Sequence, residues 1–71
     1  MKDYKKHLIS EKAMIKDVLF KLGTLEDENI LFVVNEKNQL VGSITDGDVR
    51  RGLLNDYTTS DEITNIIHRN P

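Results

Sequence analysis

The residues best equipped for chemistry are Thr45, Asp46, Asp48, Arg50 and Arg51, in the run Ile44-Thr45-Asp46-Gly47-Asp48-Val49-Arg50-Arg51. A hydroxyl followed three residues later by a carboxylate has two uses. As a capping box, the Thr45 and Asp48 side chains each accept from the other's backbone N–H at a helix start. Asp46 and Asp48 in a first turn also suit the helix dipole. As a ligand corner, the same helix start favours an anion because its N–H groups point outward. The Thr45 hydroxyl can then donate to a phosphate oxygen, and the Asp48 carboxylate can accept from both hydroxyls of a ribose. Two carboxylates repel a phosphate placed beside them, so it belongs nearer Arg50 or Arg51, whose guanidinium forks match its geometry. The plain alternative for both arginines is a solvated helix face. The two uses are compatible, since a cap can also be a pocket wall.

No other constellation competes. His7 and His68 are the only histidines, and neither has the partners a zinc site needs. Asp46 and Asp48 can attract Mg²⁺ beside a phosphate, but the remaining ligands of a calcium loop are missing. There is no Gly-rich loop ending in Lys-Ser/Thr and no serine with a histidine and acid at motif spacing. With no acid–base pair in view, the chain is not read as an enzyme.

The elements around this corner follow from apolar spacing. Residues 1–6 are polar and read as a flexible N-terminal segment, and His7-Leu8-Ile9 as a short strand. Ser10 is a plausible N-cap for a helix over 11–22, whose Met14, Ile15, Val18, Leu19 and Leu22 form one covering face. Gly23 is placed to end it in a left-handed cap, before an acidic connection through Asn29. Ile30–Val34 is apolar on both parities, which predicts cover on both faces. Asn35–Gln39 is a polar turn, without the tight Asn-Gly signature, into a strand over Leu40–Thr45. Gly42 leaves a gap on that strand of the kind that admits a neighbouring backbone or ligand. Asp46 to Leu54 reads as a helix with Val49, Leu53 and Leu54 inward, weakened by Gly52 by about 1 kcal/mol. Thr59 or Ser60 can cap a third helix over 61–67, with Thr59 and Glu62 at capping-box spacing. The fold class is α+β, with a three-stranded sheet packed against two helices and a short C-terminal helix. Two short helices cannot cover both faces of such a sheet, so one apolar face is expected to seek a partner.

Length and charge narrow the function classes. The 71 residues make at most one domain, and a chain of this size buries only about 60% of its extended surface. No cysteine is present to staple it, which points to oligomerisation or to one piece of a longer protein. Ten Lys/Arg against twelve Asp/Glu give a formal charge of −2, so no nucleic-acid partner is expected. No apolar run approaches the roughly 20 residues of a membrane span, and no signal-peptide core follows the basic start. A cytoplasmic location is the resulting expectation.

The segment Val41-Gly42-Ser43-Ile44-Thr45-Asp46-Gly47-Asp48-Val49, behind Leu31-Phe32-Val33-Val34 and a polar turn, resembles a CBS domain. That module is small, regulatory and usually found in tandem pairs. The Gly-x-x-Thr-x-x-Asp spacing matches in full, with Ser43 a polar departure, and the likeness covers about residues 7–55. It implies a β-α-β-β-α unit over 7–58, with 59–71 a C-terminal helix and linker toward an absent second repeat. Ile66 to Pro71 is similar to that link. In family members that bind adenine nucleotides, the Thr45 position contacts phosphate, the Asp48 position contacts ribose, and residues near the first strand hold adenine. The last points to Leu8 and Ile9. The resemblance thus implies an AMP, ADP or ATP sensor that requires no cofactor and pairs with a second CBS unit, here as a homodimer, to modulate an attached catalytic domain. Residues 45–52 further resemble the CBS pair that precedes bacterial sugar-nucleotide-forming nucleotidyltransferases. The other reading is a structural dimerisation module with an empty pocket.

Overall fold

The computed structural model describes residues 4–25 and 29–69. After a 3-10 turn over Tyr4–His7, the elements run β1 (Leu8–Ser10), α1 (Ile15–Gly23), β2 (Ile30–Val34), β3 (Leu40–Thr45) and α2 (Asp46–Leu54). The expected β-α-β-β-α unit is present. The sheet order is β1-β2-β3, with β1 parallel and β3 antiparallel to β2. Residues 1–3, the acidic residues 26–28 and the Asn70-Pro71 end lie outside the described residues. Residues 4–6 belong to the 3-10 turn.

Strand parity sets the two faces of the sheet. Ile9 stands opposite Val33, and Leu31 opposite Ile44. These four are buried, together with Ile15, Val18 and Leu22 of α1, Val49 of α2 and Ile63. The other parity of β2 places Phe32 outward, 40% exposed, with Leu8 and Ser43 as its register partners. Among the described residues, cover on that side of β2 is incomplete. Both helices pack on one side, as expected from their number, and the second face is open. A register shift after Val33 pairs Val34 with Leu40, leaving Val41 as the extra residue.

The hairpin turns without Asn-Gly because Asn35 organises it. Its Oδ1 accepts from the backbone N–H groups of Lys37 (2.9 Å) and Gln39 (3.0 Å), which is an Asx turn. Asn38 supplies the left-handed residue, at φ 62°.

Three expectations are corrected. Helix α1 starts at Ile15, not at residue 11, with Met14 at its N-cap. Ser10 instead accepts from Lys12 N–H in a tight turn. The later start arises because Ala13 and Met14 are held in extended pairing with residues 62–63, and the first helical N–H groups bond across the chain as well. Ile15 N–H donates to Asp61 O, Lys16 N–H to Thr59 O and Ile63 N–H to Ala13 O, all at 2.9 Å. The same pairing removes the third helix. Residues 59–62 serve that ladder, Thr58 and Asp61 form the local turn, and only a 3-10 turn over Ile63–Asn65 remains. Finally, Gly23 closes α1 as its last helical residue, with Thr24 as a right-handed C-cap. No described glycine has positive φ.

Helix α2 keeps its expected limits but rotates its inner face. Val49 is buried as expected, whereas Leu54 is 78% exposed and Leu53 39%. Gly52 takes the inward place. A Cβ there would meet Ile66 Cγ2 at 3.2 Å, so the missing side chain admits Ile66.

Candidate functional site

The corner between β3 and α2 forms a complete capping box. Thr45 Oγ1 accepts from Asp48 N–H (3.2 Å), and Asp48 Oδ2 accepts from Thr45 N–H (2.9 Å) and from the Thr45 hydroxyl (3.1 Å). Thr45 is extended, at φ −122° and ψ 171°, so β3 enters the helix without an intervening loop. The structural use of Thr45 and Asp48 is thus realised. It is also the scaffold a ligand corner would need, because both side chains are locked at the edge of a buried sheet.

The arginines are placed by the same turn. Arg50 Nη2 pairs with Asp46 Oδ2 one turn back. Arg51 Nη2 donates to Asp48 Oδ1 at 2.5 Å. The Asp48 side chain is 13% exposed and that of Arg51 69%. A Cβ built on Gly47 would lie 3.5 Å from Arg51 Nη1 and 3.7 Å from Thr45 Oγ1. The Arg51 guanidinium therefore folds back over the first turn of α2. These pairings follow from i,i+4 and i,i+3 spacing, a signal legible in the sequence but subordinate there to phosphate binding.

Leu8 and Ile9 part company. Leu8 is half-buried and shares the open face with Phe32 by register. Ile9 turns its side chain into the core, so only its backbone is available beside Leu8. Thr45 pairs with Ile30, two residues before the Phe32 that faces Leu8. Leu8 and Thr45 thus occupy the same end of the sheet, separated by two strand spacings, about 10 Å across.

The other flank of β3 carries a feature that the sequence marked only as a gap. Ser43 and His68 exchange backbone hydrogen bonds of 2.9 and 2.8 Å. A Cβ on Gly42 would lie 2.5 Å from the His68 carbonyl oxygen. The approaching backbone expected at Gly42 is therefore the chain's own 68–69 segment.

Among the described residues, no three His, Cys, Asp or Glu side chains come together to hold a metal ion. No described helix is long and apolar enough to cross a membrane.

No family model matches the chain. It is 34% identical over 64 residues to an uncharacterized protein of Helicobacter pylori, a match covering 90% of this chain and 19% of that protein. Among solved structures, the CBS domains of a Streptococcus pneumoniae transcriptional regulator superpose with a TM-score of 0.75 at 21% identity, over 99% of this chain and 55% of that one. A CBS domain protein of Pyrobaculum aerophilum, complexed with AMP, superposes with a TM-score of 0.78 at 13% identity, over 97% and 57%. The CBS pair domain of a Shewanella oneidensis Mg²⁺ transporter gives 0.74 at 17% identity, over 96% and 38%. The chain thus spans about half the length, or less, of these solved relatives. The sheet order, the strand-to-helix corner and these superpositions agree: the chain has the fold of a CBS domain.

Proposed function

We propose that this chain is one half of a CBS pair that senses an adenine nucleotide and biases an attached catalytic domain. The observation that carries this reading is the Thr45–Asp48 corner at the sheet end where Leu8 lies. Asp48 offers its carboxylate to ribose, Thr45 and Arg51 face the phosphate, and Leu8 with the Ile9 backbone borders the adenine. Arg50, held by Asp46, adds charge at the rim. AMP in the archaeal relative of the same fold supports the ligand class, and AMP, ADP and ATP are the candidates. The open face around Phe32 and Leu40, the latter 66% exposed, is where a second CBS unit packs, whether a tandem repeat or a second copy. The regulated domain is a sugar-nucleotide-forming nucleotidyltransferase, on the likeness of residues 45–52. Coupling to it requires that nucleotide bind two arrangements of the pair with different affinity.

The test is thermal melting with AMP, ADP and ATP. A nucleotide at ten times its Kd stabilises by about 1.4 kcal/mol, which raises Tm by about 9 °C for a chain of this size. Asp48→Ala and Thr45→Ala abolish that rise. Without ligand, Thr45→Ala costs only about 1 kcal/mol, the worth of an N-cap. An unchanged wild-type Tm at millimolar nucleotide supports the second reading, a structural pairing module. The specific observation behind that reading is that Thr45 and Asp48 already satisfy each other's capping bonds.

A further inference from the structure

The geometry points to Arg51 as a built-in competitor for the ribose position, which makes it the residue that selects phosphorylated nucleotides over the bare nucleoside. This rests on the nucleotide reading above and extends it to a mechanism of selectivity.

Hydrogen-bonding capacity at Asp48 is the starting point. A carboxylate oxygen has two lone-pair sites. Oδ2 already accepts twice, from the Thr45 backbone N–H and the Thr45 hydroxyl. Oδ1 accepts from Arg51. One acceptor site is left, whereas a ribose diol brings two donors. The two backbone capping contacts hold the helix end, and the Thr45 hydroxyl turns from Oδ2 only when a phosphate takes its proton, so for a bare ribose Arg51 is the partner that yields. It is also the partner able to do so. Its side chain is mostly exposed while Asp48 is nearly enclosed, and an exposed ion pair is worth only about 0.2–1 kcal/mol.

The second half concerns where the guanidinium goes. It already lies over the first turn of α2, beside Gly47 and Thr45. A phosphate seated at that helix start would meet it with little side-chain movement, in a fork-to-phosphate pair. An uncharged nucleoside must displace Arg51 and gives it nothing in return. A nucleotide displaces it and re-pairs it.

Arg50 does not share this role. It is bonded to Asp46 one turn back, and Asp46 makes no bond to the capping box. The two adjacent arginines are thereby distinguished.

The experiment is calorimetric titration of the full chain with adenosine and with AMP, comparing wild type with Arg51→Ala, Arg51→Lys and Arg50→Ala. Circular dichroism melts of each variant check the fold. For Arg51→Ala, adenosine affinity rises about two- to fivefold, the worth of an exposed ion pair, while AMP affinity falls about tenfold. Arg51→Lys keeps the charge but not the fork, so its AMP affinity lies between the two. Arg50→Ala lowers AMP affinity by less than Arg51→Ala and does not raise adenosine affinity, because Arg50 pairs with Asp46 and not with Asp48. Equal losses of adenosine and AMP affinity in Arg51→Ala overturn the proposal, because they make Arg51 a general binding or folding residue. So does an unchanged ratio. If wild type binds neither ligand but Arg51→Ala binds adenosine, Arg51 blocks the site without selecting a nucleotide, and the selectivity proposal is overturned. If neither protein binds either ligand, the nucleotide reading itself fails and this inference with it.

Discussion

Ile44→Ala is expected to lower the unfolding free energy by about 3 kcal/mol. Ile44 is fully buried on β3, opposite Leu31, one residue before the capping box. Its removal leaves a cavity between the sheet and the two helices. A chain of this length has roughly 4–10 kcal/mol of stability in total, so this one change removes a third or more of it. In urea the midpoint falls while the slope stays constant. Leu54→Ala is the control. That leucine is 78% exposed, and its loss stays within about 0.5 kcal/mol. A loss under 1 kcal/mol for Ile44→Ala would contradict the placement of the core on this face of the sheet.

Gly42→Ala is the second large effect, about 2 kcal/mol. The added methyl occupies the place of the His68 carbonyl oxygen, 2.5 Å away. That oxygen belongs to backbone, so the 68–69 segment must leave. It takes with it the two Ser43–His68 hydrogen bonds. Hydrogen exchange reads this separately from global stability, because the Ser43 amide loses protection while those in α1 keep theirs relative to the new global value. Wild-type stability with a protected Ser43 amide would contradict the bridge.

The two substitutions show which features the sequence carried openly. Thr45 and Asp48 specify a helix start through local bonds alone, so both the limits of α2 and the capping box could be read directly. Gly42 announced a close approach but not its partner, because residue 68 is 26 positions away. The start of α1 was less legible for the same reason. Ser10 has the better capping side chain, yet Asp17 accepts the Met14 N–H at 2.9 Å, and bonds to residues 59–63 hold Ala13 and Met14 extended and take up the N–H groups of Ile15 and Lys16. Those bonds join segments over 40 residues apart and leave no periodic trace. Gly52 was read as a weakness in α2, whereas it is the space into which Ile66 packs. The apolar pattern of β2 was read as double cover. Phe32 instead faces outward, 40% exposed.

The arginines illustrate a different limit. Spacing predicts both ion pairs, and the same residue types predict phosphate binding. Sequence cannot order the two, because both draw on the same guanidinium. Only the structure shows which ion pairs form, Arg51 with Asp48 and Arg50 with Asp46.

The central claim is that the β3–α2 corner receives an adenine nucleotide. Backbone amide NMR shifts during AMP titration test it most directly. The account predicts saturable shifts that are largest at Thr45, Gly47 and Asp48, extend to Leu8 across the sheet, and vanish in Asp48→Ala. Saturation with shifts confined to other elements, or none at millimolar AMP, would contradict it.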